Sequence, residues 1–112
     1  MNWRSLESEE DLQRIIKDSH QQPLAIFKHS TRCGISSMVK RRLESKWEKE
    51  TSDVPLYLLD LIAHRELSDK VAATFEIRHE SPQLILLING SSTYHASHIS
   101  ISANALAKHI EK

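Results

Sequence analysis

Three apolar runs of strand length recur along the chain, separated by stretches of helical periodicity, and this alternation restricts the fold more than any other feature. Leu24-Ala25-Ile26-Phe27, Val54-Pro55-Leu56-Tyr57-Leu58-Leu59-Asp60 and Leu84-Ile85-Leu86-Leu87-Ile88 are too continuously apolar for strands with one face in water. Each reads as a strand covered on both sides. Before the first run, Ser8 and Asp11 have the spacing of a capping box, and Leu12, Ile15 and Ile16 recur at helical intervals to about His20, where Pro23 ends the pattern. From Ile35 the apolar positions Met38, Val39, Leu43 and Trp47 predict a second helix. Leu67, Val71 and Phe75 predict a third, and Ala103, Leu106, Ala107 and Ile110 a closing one. Asn89-Gly90 is a strong two-residue hairpin signal, so a returning strand through Thr93 and Tyr94 follows.

Strands separated by helices pair in parallel through right-handed crossovers, and a hairpin adds an antiparallel edge. The expectation is an α/β domain in three layers, helix on sheet on helix, with a four-stranded mixed sheet and an N-terminal helix. No linker, repeat or low-complexity tract divides residues 1–112, so one domain is expected, and this length is enough for a core without disulfides or metal. In open α/β sheets, sites collect at the carboxyl ends of parallel strands. The turn from Phe27 through Gly34 lies at such an end, and it carries Cys33, the only cysteine.

A thiol between Arg32 and Gly34, outside any apolar stripe, is placed for chemistry rather than packing. A single cysteine closes no internal disulfide, which excludes a secreted disulfide scaffold and makes any redox step intermolecular. The attacking species is the thiolate, and a free cysteine is mostly protonated at neutral pH. Unpaired N–H groups and the positive dipole end of the helix beginning near Gly34 favour the anion, and Arg32 is a candidate cationic neighbour. Ser36, three residues on, is placed to direct its hydroxyl at the sulfur. For Arg32 and Lys28 plain solvation is the competing reading, and for Cys33 it is an inert buried residue. His29, four residues before the cysteine, is open to contact with a bound thiol or to a structural bond within the loop.

Lys plus Arg equals Asp plus Glu, 15 against 15, so no overall field draws the chain to nucleic acid or to an anionic membrane. No apolar run approaches a membrane span, and the opening residues lack a signal core, so a cytoplasmic protein is expected. None of the seven histidines shows a recognised ligand spacing, so no metal is expected, and His95 and His98 would face opposite sides of a strand. The basic residues Lys40, Arg41, Arg42 and Lys46, interrupted by Glu44, read as a solvated helix face.

The element order, Cys33-Gly34-Ile35-Ser36 after the first core strand, and Ser81-Pro82-Gln83-Leu84 opening a strand that ends at Asn89-Gly90 resemble the thioredoxin superfamily over the whole chain. More narrowly, Phe27-Lys28-His29-Ser30-Thr31, Cys33 with Ile35-Ser36, and His79-Glu80-Ser81-Pro82 resemble the monothiol bacilliredoxins of the bacillithiol system. Members usually have proline directly after the cysteine, where this chain has Gly34. The resemblance implies that Pro82 is cis with Ser81 beside Cys33. It implies a monothiol thiol–disulfide oxidoreductase in which Cys33 takes bacillithiol from client proteins, with Thr31, Arg32, Gly34, Ser36, Ser81, Pro82 and His29 binding substrate or stabilising the thiolate. It further implies bacillithiol as co-substrate, no tightly bound cofactor, and a monomer whose partners are bacillithiolated proteins and a low-molecular-weight thiol. Because Ser36 occupies the place of a resolving cysteine, an external thiol must reset Cys33. Two alternatives remain open here. Cys-Gly-Ile-Ser is one residue from the Cys-Gly-Phe-Ser of the monothiol glutaredoxins that carry a [2Fe–2S] cluster, although Asn89-Gly90-Ser91-Ser92-Thr93 lacks their Gly-Gly-Xaa-Asp segment. The other is a non-catalytic adaptor on the same scaffold.

Overall fold

A computed structural model describes residues 2–51 and 54–110. In chain order the elements are β1 (Trp3–Ser5), α1 (Glu9–Asp18), β2 (Leu24–His29), α2 (Gly34–Thr51), β3 (Leu56–Asp60), α3 (Arg65–Phe75), β4 (Gln83–Ile88), β5 (Ser91–Ser97), a 3₁₀ turn (His98–Ser100) and α4 (Ala103–Ala107). One sheet runs β1-β3-β2-β4-β5. Along β2 the side chains alternate between two cores: Leu24 and Ile26 join the α1/α3 side, Ala25 and Phe27 the α2/α4 side. Both faces are covered, which is why the strand sequences are apolar without a break. The three layers and the mixed sheet are those anticipated.

Two features differ from expectation. The sheet has five strands rather than four, because Trp3–Ser5 pairs in parallel with the outer edge of β3, Trp3 opposite Leu56. A three-residue strand with only Trp3 partly buried has no periodicity to reveal it. Trp3 is fixed instead by distant groups: Nε1–H donates to Glu44 Oε2 at 2.7 Å, and the Lys40 ammonium lies 5.1 Å from its ring. The second difference is strand direction. β2 and β3 are parallel, but β4 runs antiparallel to β2, with Lys28 opposite Gln83 and Leu24 opposite Leu87. The crossover rule assumes that a helix alone makes the return. Here α3 ends at a left-handed Glu76 (φ 55°, ψ 46°), and residues 76–82 bring the chain back to the end of the sheet from which α3 set out. The antiparallel member is therefore β4, and Pro82 enters at the carboxyl ends of β2 and β3.

Local signals account for most boundaries. Ser8 caps α1, its Oγ accepting from Asp11 N–H at 3.1 Å, while Asp11 Oδ2 accepts from Glu7 N–H. α1 stops at Asp18, two residues before His20. Asn89 (φ 54°) and Gly90 (φ 80°) form the hairpin turn, and a side chain at position 90 would also strike His20. On α2 the buried line is Ser36, Val39, Leu43 and Trp47. Met38 lies off that line and is 42 % exposed, so it does not belong to the expected core stripe. The basic face of α2 is also more than solvated: Lys40 pairs with Glu44, and Arg42 Nη2 donates to the carbonyls of Ile99 and Ile101, tying α2 to the 3₁₀ turn.

Candidate functional site

The site grows from the carboxyl end of β2. The chain leaves the strand at His29, and Cys33 N–H donates to Ser30 O at 3.1 Å, closing a tight turn over Thr31 and Arg32. Ser37 N–H then donates to Cys33 O at 3.1 Å, so Cys33 is the residue from which α2 starts. It is a free thiol, partly exposed. Over eighteen residues α2 accumulates a dipole whose positive end lies at Cys33, the residue from which it starts, and no acidic residue stands in its first turn. Thr31, Arg32 and Gly34 are exposed. A Cβ at Gly34 would meet nothing within 4 Å among the described residues.

Ser36 and His29 form the floor of the loop. Ser36 is fully buried; its Oγ accepts from Ser30 N–H at 3.1 Å and lies 2.7 Å from His29 Nδ1. These bonds join the first turn of α2 to the end of β2, so the hydroxyl expected to face the sulfur is engaged in holding the loop. His29 is 7 % exposed and stacks on Phe27 with centroids 5.9 Å apart. Burial, with the Lys40 cation adding to it, pushes its pKa below 6.5 against the opposing pull of Asp60 and Glu44. The imidazole is thus neutral at physiological pH.

The Ser81–Pro82 peptide, which leads into β4, is cis. Pro82 is buried and its carbonyl accepts from His98 N–H at 3.0 Å; Ser81 Oγ is buried with no hydrogen-bond partner among the described residues. Lys28 and Gln83 are the last β2–β4 pair, so Ser81 and Pro82 lead into β4 at the end of the ladder where the chain runs on through His29 and Ser30. On the other side Leu61 N–H donates to His29 O at 2.9 Å. Among the described residues four large apolar side chains are exposed, Ile35, Met38, Ile62 and Ile99. The first two are on the opening turns of α2, Ile62 follows the Leu61 contact, and Ile99 is held to α2 by Arg42.

Lys28 is not the solvated residue that one sequence reading allowed. Its side chain is fully enclosed, with Nζ donating to Ser68 O at 3.1 Å and lying 3.2 Å from His79 Nδ1. Burial lowers its pKa from 10.5 to about 8, partly offset by Asp69. The signal was a lysine continuing the inward alternation of Leu24 and Ile26. His79, which the sequence offered only as part of the His79-Glu80-Ser81-Pro82 motif, is its neighbour here; burial, followed by the Lys28 charge, lowers its pKa below 6.5. His98, read as a strand residue opposite in facing to His95, lies in the 3₁₀ turn with Nδ1 3.5 Å from Glu80 Oε1. Among the described residues no group of three or more His, Cys, Asp or Glu is arranged to hold a metal ion, and no helix is long and apolar enough to cross a membrane.

Comparison with known proteins places these features in context. A family model described as Monothiol bacilliredoxin BrxC matches residues 4–106. A solved protein described as having a thioredoxin fold is 28 % identical, with a TM-score of 0.83 over 97 % of this chain and 94 % of its own. Mitochondrial thioredoxin 3 from Saccharomyces cerevisiae in its oxidised form superposes with a TM-score of 0.73 at 20 % identity, covering 96 % of this chain and 92 % of its own. A mutant thioredoxin from Halobacterium salinarum NRC-1 gives 0.72 at 18 % identity, over 98 % and 88 %. At such identities the two thioredoxins bear on the fold alone.

Proposed function

The chain belongs to the monothiol bacilliredoxin family, and from that premise we propose that it is a monothiol thiol–disulfide oxidoreductase removing bacillithiol from mixed disulfides on client proteins. A thiol redox function on a thioredoxin-like fold follows from family and architecture together. The observation that carries the finer reading is the pairing of a partly exposed Cys33 at the start of α2 with a buried serine, not a second cysteine, one helical turn on. The Cys33 thiolate attacks the bacillithiol sulfur of the mixed disulfide. A bond forms between the two sulfurs, the original disulfide breaks, and the client cysteine leaves as a thiolate. A second low-molecular-weight thiol then attacks the adduct, forming a soluble disulfide and returning Cys33 as thiolate. Two electrons pass from external thiols to the client.

The other residues have supporting roles in this reading. Thr31, Arg32 and Gly34, exposed on the cysteine loop, meet the small thiol. His29 and Ser36 hold the loop, while Ser81 and Pro82 receive the disulfide. Exposed Ile35, Met38, Ile62 and Ile99 suit a protein surface as partner. One copy of the chain suffices for the reaction, bacillithiol enters as co-substrate rather than resident cofactor, and a reducing cytoplasm is the compartment that keeps Cys33 free.

The test is intact-mass spectrometry of protein mixed with a bacillithiolated client protein. The expected result is one bacillithiol mass gained by this chain and lost by the client, with no transfer to a Cys33→Ser variant. A client that stays modified while this chain stays unmodified rules the reading out.

A further inference from the structure

Lys28 is the one lysine or arginine that is fully enclosed among the described residues, and no carboxylate among them lies within ion-pair distance of it. A buried ammonium is costly, and an apolar side chain of the same length fills such a space without that cost, so packing alone does not call for lysine here. Its partners suggest what it does. One bond goes to α3 through Ser68 O, and the other to His79 on the seven residues that join α3 to β4. Gln83, directly opposite Lys28 in register, adds a second tie to the same segment by donating Nε2–H to Arg78 O at 3.0 Å. Both fastenings lie within four residues of Pro82, at the end of the β2–β4 ladder from which His29 and Ser30 lead into the cysteine loop.

From this geometry we infer that Lys28, acting through His79, is a positioning residue for exchange at Cys33: it fixes residues 78–82 so that Ser81 and Pro82 stand against the cysteine loop when a disulfide docks. The inference rests on the thiol-exchange reading above. The clamp requires His79 to be neutral, since Nδ1 accepts from the Lys28 ammonium and a protonated ring would set a second cation, half-buried, against the enclosed Lys28. Asp69 and Arg65 from α3, and Glu80 on the segment itself, are the other charges bearing on the pair, of opposing sign. Acidification through the range in which His79 titrates therefore releases the segment.

The test compares two rates at Cys33 by intact mass from pH 5 to pH 8. One is alkylation by iodoacetamide, which needs only an accessible thiolate. The other is uptake of 2-mercaptoethanol from 2-hydroxyethyl disulfide, in which Cys33 displaces one mercaptoethanol thiolate and also needs the disulfide seated. The ratio of exchange to alkylation cancels the thiolate fraction and reports the seating. In Lys28→Met and His79→Leu the ratio is expected to drop about tenfold, the equivalent of one hydrogen bond to a charged group, with faster amide hydrogen exchange over residues 78–82. His79→Asn, whose Oδ1 can take the place of Nδ1 but does not titrate, is expected to keep the ratio and to lose the decline that the natural protein shows on acidification. An unchanged ratio in Lys28→Met, or equal loss of both rates, overturns the inference; if that variant fails to fold, the two His79 variants decide it by the same measure. A natural protein that is alkylated but takes up no mercaptoethanol removes the thiol-exchange reading and this inference together, whereas failure confined to the variants' ratios removes only the role of Lys28.

Discussion

At the scale of single residues the chemistry depends on what stands at positions 33 and 36. Ser36→Cys should convert a one-thiol mechanism into a two-thiol one, because the new sulfur, one helical turn from Cys33, can attack the adduct from within. Adduct mass on Cys33 should then disappear without added thiol, and the protein should become two hydrogens lighter; a stable adduct would show that the two positions do not communicate. Ser36→Ala tests the other role of the hydroxyl. It leaves Ser30 N–H and His29 Nδ1 without their partner in a buried site, for a loss of about 1–3 kcal/mol in denaturant unfolding. The cysteine and the serine were readable as a pair from their spacing. That the serine bonds to His29 and Ser30 was not, because a hydroxyl has several possible partners and only the packed loop chooses among them.

At the scale of elements, the start of α2 is a site where stability can be gained. Gly34 is the first residue of the helix, its surroundings are open, and an exposed glycine in a helix is entropically unfavourable. Gly34→Ala should raise stability by about 0.5–1 kcal/mol, read as a higher melting temperature. A decrease would mean that the cysteine loop uses the freedom of the glycine. At the start of α1, Ser8→Ala should cost about 1 kcal/mol through loss of the bond to Asp11 N–H. These helices and the Asn89-Gly90 turn were legible because capping, periodicity and left-handed turn geometry are local properties. β1 was not legible, since three residues of mixed polarity become a strand only when the edge of β3 is beside them. Nor was the direction of β4, which is decided by the path of residues 76–82 rather than by α3.

For the whole molecule, the buried bases give stability an unusual dependence on pH. His29 and His79 have pKa values lowered by burial, so the unfolded chain binds the extra protons as pH falls through 6.5; their contribution is complete above that value and is lost below it. Lys28 acts in the same sense higher up. Between about 8 and 10.5 the unfolded lysine is protonated while the folded one is not, so stability rises with pH across that window, by about 3 kcal/mol when complete. Tyr94 works in reverse: burial raises its pKa above 10.0, so its contribution is lost as pH climbs beyond the range of a free tyrosine. Urea unfolding from pH 5 to pH 10 should therefore show stability rising in two arms, one up to pH 6.5 and one above about pH 8, with the upper arm absent in Lys28→Met. A maximum near neutrality in the natural protein would contradict the enclosure of Lys28.

The sequence by itself determined the strands and helices, the hairpin, the layered class and the lone thiol at a strand-to-helix turn, because each is encoded in neighbours a few residues apart or in the length of an apolar run. The tertiary structure decided the partners of Ser36 and His29, the burial of Lys28 against His79, the strand added at the β3 edge and the reversal of β4. These depend on which surfaces meet once the sheet closes, and a polar side chain is satisfied by whatever acceptor the fold sets beside it, however far away in the chain.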